Sequence, residues 1–172
     1  VLQNVTVTAE LLEFDLRGVD LDTVGNTGPV TMVVEGSKFT DDTLFTLQDA
    51  AAGDFAATGV RLLDSTRALV TFDLLGAAVG AASVSAEEGG ETVVLTDVLT
   101  VEDALVGQLE ISVQAPNALR PGQTGVWYVN YANNGGADLE IPLILFQVPD
   151  ATSLSLTANG ENLGNSIFML GL

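Results

Sequence analysis

The sequence predicts an all-β fold, two antiparallel β-sandwiches in tandem, on three observations. Hydropathy alternates with a period of two along most of the chain, turn residues recur about every 8–12 positions, and no segment keeps a helical period. The run 109–115 is typical: Leu109, Ile111, Val113 and Ala115 fall on one face, Glu110, Ser112 and Gln114 on the other. Runs 30–35, 68–74 and 92–96 are short, rich in β-branched residues and bounded by turns, as strands are. The turn signals are 25–29, Gly53-Asp54, Asp64-Ser65, 88–90, Pro121-Gly122, 133–136 and Asn159-Gly160. Only 47–52 and 76–82 look loosely helical, and both are read as loops or single turns because they are short, alanine-rich and poorly amphipathic.

Composition bounds the chemistry. Apolar residues make up 47% of the 172, ample for a core, yet no run reaches the ~20 apolar residues of a membrane helix. No basic segment followed by an apolar stretch opens the chain, so no signal peptide is read there, and the chain is expected to be processed or internal. Acids number 23 against five bases, a net charge of −18, with Lys38 the sole lysine. Such a surface repels phosphate backbones, which argues against nucleic acid and anionic membranes and suits high salt or divalent cations. Without cysteine there are no disulfides, and without histidine the commonest general base and transition-metal ligand is missing. The expectation is a non-catalytic protein.

Residues 98–101 read as the closing strand of one unit and Gln108 as the start of another, with a short, apolar linker at 102–107 that predicts end-to-end packing. Within 11–101, the opening 28–39 (a glycine turn, an alternating strand, then Gly36-Ser-Lys-Phe39), the strand 64–74, the loop 76–80 and the ending 97–101 resemble an IPT/TIG domain. The segment 81–84 lacks the aromatic usual there. Residues 108–172 resemble the CARDB and DUF11 type of repeat, on 119–123, the run 126–136 with Trp127, Tyr128 and Tyr131, and the returning strand 139–145. Both resemblances imply immunoglobulin-like sandwiches, used as repeat modules in large bacterial surface or secreted proteins. Residues 1–10 precede the first match and read as an N-terminal strand or the tail of a preceding unit.

Few constellations could carry chemistry. Calcium takes 6–8 oxygen ligands, and the candidate ligands are Asp20 and Asp22 in the acid-alternating stretch 20–26, with Glu102 and Asp103 at the junction. Asp41-Asp42 and Glu87-Glu88 are further acid pairs. Asp22-Thr and Asp64-Ser-Thr faintly resemble an aspartic-protease signature but lack its glycine, and an aspartate in a hairpin loop more often caps the turn. Trp127 and Tyr131 share a strand face, which is expected to be core; exposed, they would suit a sugar. Lys38 could join an isopeptide bond only in an apolar setting, and Asn4-Val-Thr6 is a formal glycosylation sequon.

The functional expectation is a structural or interaction module of an extracellular bacterial assembly, such as a surface fibre, sheath or adhesin stalk. The partners would be other protein chains, self-assembling head to tail. The alternative is an accessory carbohydrate- or protein-binding module of a larger secreted enzyme. Residues 108–172 number 65, short for a sandwich of ~100. An incomplete sheet invites strand addition, and residues 1–10 are a candidate donor to a neighbouring copy. The turn at 133–136 predicts that 126–131 pairs antiparallel with 139–145, with Trp127 buried.

Overall fold

The computed structural model describes residues 12–103, 105–140, 143–157 and 160–170, so the N-terminal strand expected at 1–10 lies outside the described residues. Twelve strands and no helix occur among them: β1 (Asp15–Val19), β2 (Thr23–Gly25), β3 (Pro29–Ser37), β4 (Leu44–Gln48), β5 (Asp54–Asp64), β6 (Arg67–Asp73), β7 (Gly80–Glu88), β8 (Glu91–Glu102), β9 (Leu109–Gln114), β10 (Tyr128–Asn133), β11 (Leu143–Gln147) and β12 (Ser166–Leu170). The chain is all-β. It forms two compact units, one running to Val106 and including Gly136–Asp138, the other comprising Gly107–Gly135 and Leu139–Leu172.

In the first unit eight strands are hydrogen-bonded in the order β1-β3-β6-β5-β4-β7-β8-β2. Every pair is antiparallel except β2 with β8, which is parallel. The alternation read from the sequence sets the faces. Val30, Met32 and Val34 of β3 point inward with Ala68, Val70 and Phe72 of β6, while Thr31, Val33, Leu69 and Thr71 point outward. Phe45 and Leu47 of β4 and Ala82, Val84 and Ala86 of β7 join the same buried cluster. One core therefore serves both halves of the strand order, an arrangement consistent with a β-sandwich. Phe39 seals one end, edge-on to Phe14 (centroids 6.4 Å apart) and to Phe45 (5.3 Å).

Local turns follow their residues. Gly89 and Gly90 join β7 to β8 with φ of 59° and 86°, the positive values a two-residue hairpin loop needs at both central positions. The two alanine-rich segments read as loops contain strand as well. Leu47 and Gln48 belong to β4, and Gly80, Ala81 and Ala82 to β7, where Ala82 is buried in the core cluster. Between β4 and β5, Asp49 organises the loop. Its Oδ1 accepts the N–H groups of Ala51 (2.9 Å) and Gly53 (2.8 Å), and its Oδ2 accepts that of Ala78 (2.6 Å). Those backbone donors, the Ala78 N–H foremost, hold its carboxyl below the ordinary carboxylate value against the opposing effect of burial.

The second unit contains two two-stranded ribbons, β9–β10 and β11–β12. Among the described residues the expected pairing of 126–131 with 139–145 does not form. β10 pairs with β9, and β11 pairs with β12. Gly136, the last residue of the expected turn, and Asp138 just beyond it are engaged in the first unit instead. Gly136 accepts the Gly25 N–H (2.6 Å) and donates to the Val106 carbonyl (3.2 Å). Asp138 donates to the Pro29 carbonyl (2.8 Å) and accepts from the Thr31 N–H (2.9 Å) and hydroxyl (2.6 Å).

Asp49 gives a test. Asp49→Asn turns an acceptor into a donor facing a backbone N–H, and should cost about 1–3 kcal/mol at neutral pH by denaturant unfolding. A depressed folded pKa contributes stability in full above the unfolded value of 3.8, and that contribution is lost as pH falls through the folded value. The gap between wild type and Asp49→Asn should therefore close on titration from pH 6 to pH 2, whereas a pH-independent gap would remove the carboxylate from the account.

Candidate interaction surfaces

The four acids singled out for calcium are put to separate uses. Asp20 finishes the β3 edge beyond the end of β1, accepting the Val33 N–H on Oδ1 (2.7 Å) and donating its own N–H to the Val33 carbonyl (3.2 Å). Asp22 is exposed, and its carbonyl accepts the Thr100 N–H (2.9 Å). The Glu102 carbonyl accepts the Asn26 N–H (3.2 Å), and Asp103 Oδ1 accepts from Asn26 Nδ2 (3.2 Å). Among the described residues no group of three or more acidic side chains is placed to hold a metal ion.

The other candidates resolve in the same way. Asp64 is a turn cap: its Oδ1 accepts from the Thr66 hydroxyl (2.6 Å) and N–H (2.8 Å), while Oδ2 takes the Arg67 guanidinium (3.0 Å). The Thr66 bonds, joined by Arg67, lower its carboxyl to about 2. Glu88 Oε2 accepts from the hydroxyls of Thr40 (2.9 Å) and Thr43 (2.6 Å), while Asp41 and Asp42 sit exposed in a turn. Lys38 is exposed and pairs with exposed Glu13 at 3.5 Å, not the apolar setting an isopeptide bond needs.

The apolar surface of the second unit is its distinguishing feature. In β9–β10 the register sets Val113 opposite Val129, Ile111 opposite Tyr131 and Leu109 opposite Asn133, giving one largely apolar face. Glu110, Ser112 and Gln114 lie on the other, as the alternation predicts. That face is open. Leu109, Ile111, Val113 and Tyr131 are all exposed, and Trp127, expected in the core, is 47% exposed and falls in phase with them. The tryptophan lacks a core because this ribbon has no third strand or opposing layer among the described residues.

The β11–β12 ribbon is apolar on both sides. Ile144 and Phe146 with Met169 and Ile167 form one face, on which Ile144 is buried. On the other, Leu143 stands opposite Leu170 and Leu145 opposite Phe168, and these four are 50–66% exposed. Neither strand contains a charged residue. This patch was missed in the sequence, although its signal is present: unbroken apolar runs such as 143–146 and 167–170 mark strands covered on both faces. Ile144 and Val148 are the only buried hydrophobic residues of the unit among those described.

No protein-family model matches this chain, and no curated protein is significantly similar to it in sequence.

The position of Trp127 can be checked directly. Acrylamide should quench its fluorescence efficiently, and Trp127→Ala should cost less than about 1 kcal/mol, against the 3–5 kcal/mol usual for a buried tryptophan. A loss in the upper range would place it in a core.

Proposed function

We propose that this chain is a structural or interaction module of an extracellular bacterial assembly, made of two immunoglobulin-like units in tandem and carrying no catalysis of its own. The observation behind this reading is the uncovered ladder of Leu143, Leu145, Phe168 and Leu170. A two-stranded ribbon is marginal alone in water and needs further strands or a packed layer. Covering the exposed part of these four side chains would contribute on the order of 4 kcal/mol at the usual return for apolar area. Contiguous apolar faces of this kind mark sites where another polypeptide packs. The resemblance of residues 11–101 and 108–172 to repeat modules of surface proteins supports the same reading, as does a strongly charged surface elsewhere.

Sedimentation velocity of the 172-residue chain over a range of concentrations tests it. Wild type should associate, and Leu145→Glu with Phe168→Glu should shift the equilibrium to monomer while leaving the circular dichroism of the first unit intact. A wild type that is monomeric at every concentration would refute the reading.

A second reading, an accessory carbohydrate-binding module, rests on the exposure of Trp127 and Tyr131 along one ribbon face. It requires retardation of the wild type in polysaccharide-containing gels that Trp127→Ala abolishes. Migration unaffected by polysaccharide would dispose of it.

A further inference from the structure

Neither its connection nor its burial fixes the register of the β9–β10 ribbon. The connection is the segment 115–127, and only short hairpin loops set register through their turn type. Val129 is half-buried, and every other residue of the two strands is exposed. A slip of one residue would nevertheless put Ile111 and Val113 on the opposite face from Tyr131 and Val129. The pairing runs on past the open end of the ribbon in one register. Asn133 faces Leu109, the Asn134 N–H donates to the Gln108 carbonyl (2.9 Å), and the Gly136 N–H donates to the Val106 carbonyl (3.2 Å). That last pair belongs to the first unit, where it is held from several sides. The Gly136 carbonyl accepts the Gly25 N–H (2.6 Å), and the Leu105 carbonyl accepts the Thr27 hydroxyl (2.8 Å). Ala137 is buried in the core cluster, and the Asp138 carboxylate takes both the N–H and the hydroxyl of Thr31. A Cβ at Gly136 would lie 2.6 Å from that of Leu105 and 3.0 Å from the Gly25 nitrogen, so this approach requires glycine.

We infer that residues 136–138 are a clasp through which the first unit sets the register and stability of the β9–β10 ribbon. The clasp thereby decides that Leu109, Ile111, Val113 and Tyr131 share one face. With Val106 and Gly136 held together, residues 107–135 form a closed loop. The ribbon then forms without the entropic cost of bringing its two ends together. A two-stranded ribbon is marginal in water, so this contribution determines whether the strands stay paired. Register follows from the same bonds, because each backbone pair beyond Leu109 and Asn133 restricts the strands to one alignment. The clasp acts on the ribbon of Tyr131 and not on the β11–β12 ladder, so it stands or falls apart from the assembly reading.

Amide hydrogen exchange of the whole chain, read by mass spectrometry, tests this. One variant carries Gly136→Ala with Asp138→Ala. The second carries Asp138→Ala alone, at an exposed residue, and serves if the first does not fold. Peptides covering 109–114 and 128–133 should exchange about tenfold faster than in wild type, while those covering β3 and β6 keep their protection. Register has its own readout. The chain has no cysteine, so Val113→Cys with Val129→Cys, which face each other, adds a single disulfide. Its effective concentration against glutathione should fall about tenfold when Asp138→Ala is added. Ribbon exchange unchanged in the variants would overturn the inference, as would a wild-type ribbon already unprotected. Equal loss of protection in β3 and β6 would mark a general loss of stability and overturn it too.

Discussion

Strand β5 serves two neighbours in succession. Its residues Asp54, Phe55 and Ala56 pair with β4, and from Ala57 onward it pairs with β6, with register shifts between Ala57 and Gly59 and between Leu62 and Asp64. The irregularities let an eleven-residue strand change partners, and they increase local twist and bend the strand. Because β5 belongs to both halves, the inner faces of β3 and β6 share one core with those of β4 and β7. The buried set of Met32, Leu47, Phe72, Leu74 and Val84 depends on that transfer.

The two units differ in how far they close. In the first, inward-facing residues of the hydrogen-bonded strands pack into one buried cluster, with those of β5 partly buried. In the second, the strands pair in ribbons of two, alternating in β9 and apolar on both faces in β11–β12, and burial of hydrophobic residues reaches only Ile144 and Val148 among the described residues. Apolar side chains that a closed core would bury are left exposed. Backbone groups follow the same logic, since among the described residues every ribbon strand keeps one edge without a neighbouring strand.

Acid side chains in this protein act chiefly through backbone donors. Asp20 and Asp138 cap N–H groups of β3, Asp49 gathers three from two loops, and Asp64 closes a turn. A carboxylate accepts several such bonds and stays ionised, which explains both the abundance of aspartate at strand ends and the lowered titration of Asp49 and Asp64.

What the sequence determined by itself was local. Short β-branched runs marked 30–35 and 68–74 as strands, and glycine pairs marked the turn at Gly89-Gly90, because side-chain direction and backbone dihedrals are properties of neighbouring residues. The turn role of Asp64 was legible for the same reason. Pairing was not, because it depends on competition between distant partners. The glycine run at 133–136 suits a tight hairpin, yet Gly136 and Asp138 gain hydrogen bonds from Gly25 and Thr31, more than a hundred residues earlier, and β10 turns to β9 instead. The exposure of Trp127 was decided at the same level. Periodicity tells which side chains share a face, but whether a second layer covers that face is settled only by how many strands the tertiary structure brings to it.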